Sequence, residues 1–186
     1  MTASASRNAS ASASASEILR SHIRDVADFP KPGVMFKDIN PLLADPTAFR
    51  TVIAALAEQA ATLGVTKVAG IEARGFFFAA PVALQLGVGV LPIRKSGKLP
   101  GRTLRETYAL EYGEATVEVQ EGAVTAGDRI LVIDDVLATG GTAVAAATLL
   151  GTAGAEPVGL AVLLELTFLG GRQRVSPLPV SALLPV

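Results

Sequence analysis

The chain has 186 residues with 16 Lys plus Arg against 17 Asp plus Glu, a length and balance that suit one domain of ordinary size. Half of its residues are hydrophobic and only 18% are charged, with mean hydropathy +0.46, which excludes global disorder and provides for a buried core. A formal net charge of -1 argues against a chain whose main task is neutralising a nucleic-acid backbone, and the absence of cysteine excludes disulfides, thiolate zinc sites and a cysteine nucleophile.

Residues 2–16 are a near-repeat of Ala and Ser with one Arg and one Asn. They lack the apolar stretch of a secretory signal and the amphipathic, Arg-rich character of a transit peptide, so residues 1–16 read as a disordered tail before a single domain at 17–186. No run reaches the roughly 18 apolar residues of a membrane helix, and the expectation is a soluble, cytoplasmic protein without a membrane partner. Ser16 before Glu17 and Ile18 reads as the cap of a short helix ending near Arg24, with the only histidine, His22, as a solvated helix residue. One histidine is a poor basis for a Ser-His-Asp triad or a multi-histidine metal centre. Residues 29–39, with Pro30, Pro32 and Gly33, read as an extended loop carrying Phe29 and Phe36.

Asp45-Pro46 supplies a cap and a first-turn proline for a helix whose apolar residues Phe49, Val52, Ile53, Leu56, Ala60 and Leu63 recur at helical spacing up to Gly64. Residues 67–71 suit a buried strand, residues 76–86 a helix despite Pro81, and residues 88–94 another strand. Residues 107–112 and 115–120 alternate in polarity around Gly113, the pattern of an antiparallel hairpin that can project as a flap. Residues 129–133 form an apolar strand ending at Asp134-Asp135, residues 142–150 an Ala-rich helix, and residues 158–164 a final apolar strand. Apolar strands alternating with helices predict an α/β fold: a mostly parallel twisted sheet with helices on both faces, and ligands at the carboxyl ends of the strands.

The sharpest chemical signal follows Ile133. Two carboxylates stand at the end of a buried strand, and Ala138, Thr139, Gly140, Gly141 and Thr142 then form a small-residue loop opening a helix. The loop's backbone N–H groups and the positive helix end suit a phosphate, with the glycines allowing close approach and the threonines adding hydroxyl donors. Asp134 and Asp135 repel phosphate, so they suit the donor hydroxyls of a sugar, or Mg2+ held through water. A phosphorylated sugar meets both demands. The pattern is neither a P-loop nor a dinucleotide-binding Gly-x-Gly-x-x-Gly.

This layout, with apolar residues, two acids and a Thr-Gly-Gly-Thr loop, resembles the type I phosphoribosyltransferases. Within that family the segments at 29–39, Glu72-Ala73-Arg74-Gly75, 93–101 and Leu110-Glu111-Tyr112-Gly113 are most similar to members that take adenine. The resemblance covers residues 18–184 and implies that fold, with the antiparallel flap and a small N-terminal hood. It implies the reaction of adenine with phosphoribosyl pyrophosphate to AMP and pyrophosphate, purine salvage, with Mg2+ neutralising the leaving group and no direct protein ligand set for the metal. It also implies a homodimer.

Residue by residue, the resemblance gives the 5′-phosphate to Ala138, Thr139, Gly140, Gly141 and Thr142, and the ribose diol to Asp134 and Asp135. Arg74, Lys95 and Lys98 take pyrophosphate. Arg94, Lys95, Lys98, Arg102 and Arg105 form an acid-free basic stretch, with Arg102 and Arg105 in a covering loop; the alternative is a solvated loop or an RNA contact. Adenine stacks between Phe36 and Val136 and is read by backbone groups of Met35 and Lys37, core packing being the alternative role for Phe36. Glu111 is the implied proton acceptor and Tyr112 part of the closed catalytic site, whereas by itself Glu111 reads as a surface strand residue. The 6-oxopurine members carry an aspartate where this chain has Ala138, which favours adenine. A 6-oxopurine enzyme, or a non-catalytic regulator of this fold acting on nucleic acid, remains the rival; the regulator is disfavoured by the lack of a DNA-binding extension and of a broad basic face.

Overall fold

The computed structural model describes residues 14–109 and 113–186, which divide into two compact units, one ending at Ala55 and the other spanning Leu56–Val186. The first unit opens with helix α1 at residues 14–22, which buries Ala15 and Leu19 one turn apart. Residues 14–16, read from sequence as the end of a tail, are thus its first turn, and the helix ends before Arg24 because that residue opens a strand. Strands β1 (Arg24–Ala27) and β2 (Met35–Asp38) pair antiparallel, with Val26 opposite Phe36. The extended loop expected at 29–39 therefore ends in a strand. The prolines occupy only the intervening turn, which Asp28 closes by accepting the Gly33 N–H at 2.8 Å, and Phe29 packs edge-on against Phe36 with ring centroids 4.9 Å apart.

A short helix α2 (Asn40–Ala44) precedes α3 (Pro46–Ala60), which the sequence anticipates through its cap. Asp45 Oδ1 accepts the N–H groups of Thr47 and Ala48 at 2.8 Å each, and those two hydrogen bonds hold its carboxyl below the ordinary aspartate range. The helix stops at Ala60 and a turn carries the chain to Gly64.

The second unit holds one seven-stranded sheet, in the order β5-β6-β4-β3-β7-β8-β9. Its strands are β3 (Lys67–Ile71), β4 (Gly89–Lys95), β5 (Thr103–Ala109), β6 (Glu114–Gln120), β7 (Arg129–Leu137), β8 (Glu156–Glu165) and β9 (Val180–Pro185). Strands β4, β3, β7, β8 and β9 run parallel, as the sequence pattern predicts; the predicted antiparallel hairpin forms as β5–β6, but β5 begins at Thr103, which puts Arg105 in a strand and not in a covering loop, and β6 joins antiparallel along β4, a pairing the pattern does not show. Strand β9, flanked by Pro179 and ending at Pro185, carries no clean strand signal and is an addition to the expected set. Helix α4 (Gly75–Leu86) packs on β3 and β7, and α5 (Gly141–Thr152) on β5, β6 and β8.

Alternation along the strands sorts the core into two layers. Ala69, Ile71, Ile130, Val132, Leu160 and Val162 face α5. Gly70 faces α4: a Cβ added there would come 2.7 Å from the Ala79 Cβ, so the missing side chain is what lets this helix lie close on the sheet. Helix α4 also accommodates Pro81, whose missing N–H costs one internal hydrogen bond on a helix otherwise anchored by Phe78, Ala79 and Val82, all fully buried.

Candidate functional site

The paired acids lie inside a strand, beyond the point where the sequence ends it. Strand β7 continues to Leu137 because β8 keeps pairing with it, Asp134 opposite Val162 and Val136 opposite Leu164. Its other neighbour leaves earlier, the last β3 pair being Gly70 with Ile133. From Asp134 onward β7 thus has a strand on one side only, and the opening is filled by the turn leading from β3 into α4. That turn approaches closely: a Cβ on Gly75 would lie 2.6 Å from the Ile133 carbonyl oxygen and 3.3 Å from Asp134 Oδ1.

Successive residues of a strand face opposite ways. Asp134 opens into a pocket of about 80 Å3 that is also lined by Val136, Ala138, Thr139, Gly140, Gly141 and Thr142. Asp135 is buried on the other side, where Arg74 Nε stands 3.0 Å from its Oδ2. That contact pairs charges without aligning a donor, and Oδ2 has no hydrogen-bond partner among the described residues. Burial, and then repulsion from Asp135, push the Asp134 carboxyl well above its ordinary pKa; burial also raises Asp135, partly offset by Arg74. Two desolvated acids side by side, one with an unmet acceptor, call for donors from a ligand. The described residues contain no cluster of three or more side chains able to cage a metal ion. Two carboxylates fit an Mg2+ that keeps mostly water and substrate oxygens as ligands.

The loop after β7 is shaped by a segment that the sequence reading passed over. Gly140 takes φ 81° and precedes α5 as its N-cap. Behind it sits Gly171, at the start of the short helix α6 (Gly171–Arg174), where an added Cβ would fall 2.2 Å from the Ala138 carbonyl oxygen. Arg172 pins this buttress by ion-pairing with the buried Glu165 and donating to the Val180 carbonyl at 2.8 Å. On the other side of the α5 N-terminus, Tyr108 from β5 shares a hydrogen bond of 3.0 Å with the Thr142 hydroxyl. The Gly170-Gly171 pair was the one available sequence signal for the buttress; nothing in the alternation of β5 singles out Tyr108.

The basic stretch separates into paired and available cations. Arg94 is held by Glu72 at 3.3 Å, Arg102 by Glu121 at 2.8 Å and Arg105 by Glu118 at 2.9 Å. Lys95 and Lys98 are exposed and make no ion pair among the described residues. They stand on a turn at 95–98 that is tied down by the Lys95 N–H to Glu72, the Ser96 N–H to the Thr116 carbonyl, and Arg94 to the Lys98 carbonyl. Burial would raise the Glu72 carboxyl, but the Lys95 N–H and Arg94 hold it below the ordinary range. Arg74, directly after the Glu72-Ala73 step, is the N-cap residue of α4.

Met35, Phe36 and Lys37 lie together on β2 in the first unit, where Lys37 Nζ pairs with Asp25 at 2.7 Å. Strand β2 has one partner only, so alternate residues turn backbone donors and acceptors away from β1. Glu111 and Tyr112 lie outside the described residues.

Comparison with known proteins gives the same family from three directions. Residues 40–179 match the model of the phosphoribosyl transferase domain. The adenine phosphoribosyltransferase of Frankia casuarinae is 64% identical over 170 residues, covering 91% of this chain and 90% of the relative. Among solved structures, the adenine phosphoribosyltransferase of Rhodothermus marinus superposes with a TM-score of 0.89 at 49% identity, covering 94% of this chain and 99% of that one. The Saccharomyces cerevisiae enzyme, solved with adenine and an imino-altritol bisphosphate, gives 0.86 at 36% identity, covering 92% and 99%. With its paired acids and its loop already matching that layout, this chain belongs to the phosphoribosyltransferase family, in the adenine phosphoribosyltransferase branch.

Proposed function

We propose that the chain joins adenine to phosphoribosyl pyrophosphate, releasing AMP and pyrophosphate. The observation that carries this reading is the opening at the end of β7, where half-buried Asp134 faces a pocket lined by residues 138–142 and buried Asp135 stands next to it in the strand. Phosphate suits the backbone N–H groups at the start of α5, and the ribose diol donates to Asp134 and Asp135, meeting the acceptor on Asp135 that has no donor of its own. Lys95 and Lys98, the two cations of the basic stretch that make no ion pair among the described residues, take the pyrophosphate together with Arg74.

In the reaction the ring nitrogen of adenine bonds to the anomeric carbon as the bond from that carbon to the pyrophosphate oxygen breaks. The electron pair leaves with pyrophosphate and the proton leaves the imidazole ring, with Glu111 as its acceptor and Tyr112 closing the site. Bound Mg2+ supplies neutralising charge for the leaving group. The protein's own share is to present Lys95 and Lys98 where negative charge develops, and carboxylates near a sugar carbon that becomes cation-like. Val136, which lines the pocket, stacks on the base, and Met35, Phe36 and Lys37 keep the base-binding roles that the family resemblance implies for them.

Two further readings belong with this one. The face of α4 that carries Phe77 and Leu84 is 51% and 83% exposed at those residues, and nothing on the helix is charged; this supports a homodimer. No described helix is long and apolar enough to cross a membrane, which is consistent with work in the cytoplasm. The test is AMP formation from adenine, Mg2+ and phosphoribosyl pyrophosphate by the intact chain and by its Asp134→Asn/Asp135→Asn variant. Turnover lost in a variant that folds normally supports the diol assignment, and turnover at the unmodified rate removes it.

A further inference from the structure

The hairpin carries a buried carboxylate that the reaction above does not use. Glu118 lies in the middle of β6 and is 1% exposed, in a strand that is otherwise apolar at its buried positions Val117 and Val119. Its register partners are Arg94 on β4 and Arg105 on β5, so an acid sits between two basic residues across three strands. Its oxygens reach the turn at 95–98: Oε1 accepts the Ser96 hydroxyl at 2.9 Å, and Oε2 accepts the Gly97 N–H at 3.1 Å. Arg105 Nε stands 2.9 Å from Oε1. A buried carboxylate is costly unless its charge and lone pairs are met, and here the groups that meet them belong to the turn and to the flap strand.

We propose that Glu118 is a positioning residue, which fixes the turn carrying Lys95 and Lys98 and ties it to the flap through Arg105. The inference rests on the reading of that turn as the pyrophosphate site. Glu72 holds the turn from its β3 side through the Lys95 N–H, and Glu118 holds it from the hairpin side through Ser96 and Gly97. Removing Glu118 leaves both lysines in the chain with their charge intact and frees the backbone that aims them.

The experiment compares steady-state kinetics of Glu118→Ala, Glu118→Gln and Ser96→Ala with those of Lys98→Ala, each titrated separately with phosphoribosyl pyrophosphate and with adenine. Loss of positioning by roughly an ångström raises KM for phosphoribosyl pyrophosphate about 10-fold to 100-fold in Glu118→Ala while KM for adenine stays put. Glu118→Gln, which keeps the shape and one acceptor, recovers a large part of the loss. Ser96→Ala, an exposed change that leaves the core intact, gives a smaller rise in the same constant and keeps the test available if Glu118→Ala fails to fold. Equal loss against both substrates, or a fall in kcat and thermal stability alone, overturns the proposal. So does an unchanged KM in folded Glu118→Ala and Ser96→Ala beside a raised one in Lys98→Ala, which leaves the pyrophosphate reading standing; an unchanged KM in Lys98→Ala removes that reading itself.

Discussion

Replacing Gly171 with alanine puts one methyl group where the loop at 138–142 is buttressed. The new Cβ would lie 2.2 Å from the Ala138 carbonyl oxygen and 3.1 Å from a Leu137 methyl carbon. A carbon and an oxygen need about 3.3 Å, so one side must move by about 1 Å. The α6 side is held by the Arg172 pair with Glu165 and by the bond from Arg172 to Val180, so much of the displacement passes to the loop. Overpacking of this kind costs about 1–3 kcal/mol, which lowers Tm by about 3–10 °C in a chain of this size. A loop displaced by about 1 Å loses up to about 100-fold in kcat/KM for phosphoribosyl pyrophosphate. Thermal melting and a kinetic titration of that substrate read both effects, with Gly151→Ala as the control. Gly151 is exposed near the end of α5 and its added Cβ meets nothing within 4 Å, so alanine there stabilises by about 0.5–1 kcal/mol without touching activity. A Gly171→Ala protein that melts and turns over like the unmodified one would refute the buttress.

The Asp134→Asn/Asp135→Asn variant, besides losing turnover, melts higher than the parent at neutral pH, because burial raises both carboxyls and their ionised forms are unfavourable in the folded state. A raised folded-state pKa favours folding most below the unfolded value and loses that advantage as pH rises through the folded one, so the parent's Tm climbs as pH falls from neutral and the variant's does not. Glu72 and Asp128 act oppositely: Asp128 is held low by Lys67 and Glu72 by the turn, so their contribution persists above the ordinary carboxylate range and fades as pH falls through their depressed values. A Tm scan from pH 8 to about 3 therefore rises and then falls. Lys98→Ala weakens phosphoribosyl pyrophosphate and flattens the salt dependence of its binding, whereas Arg102→Ala, whose arginine pairs with Glu121 on the surface, changes both little; titration at several ionic strengths separates them.

The sheet was legible because parallel, doubly covered strands are apolar on both faces, and residues 67–71 and 129–133 announce themselves that way. The flap hairpin was legible through alternation, although β5 begins at Thr103, within the basic stretch whose Gly and Pro content reads as loop. What composition hides is which neighbour a strand keeps. The acids fall inside β7 because β8 outlasts β3 as its partner, a tertiary fact with no local signature. Strands β2 and β9 were lost to nearby prolines, which in each case stand in turns or at the ends. At the site, Asp134, Asp135 and the loop at 138–142 were visible as a contiguous motif. The groups that hold them, Gly171, Tyr108 and Glu118, come from distant segments and become meaningful only when a carbonyl, a hydroxyl or a turn is found beside them.

Transfer of a phosphoribosyl group to adenine at the opening at the end of β7 underlies every residue role given above. Its most direct test is to supply phosphoribosyl pyrophosphate and Mg2+ with adenine, hypoxanthine or guanine in parallel and to measure nucleotide and pyrophosphate together. AMP and pyrophosphate form in equal amounts from adenine, with little product from the two 6-oxopurines, since Ala138 stands where, by the family resemblance, the 6-oxopurine members carry an acid. Tight binding of phosphoribosyl pyrophosphate with no turnover of any base, or product from hypoxanthine or guanine in preference to adenine, would contradict it.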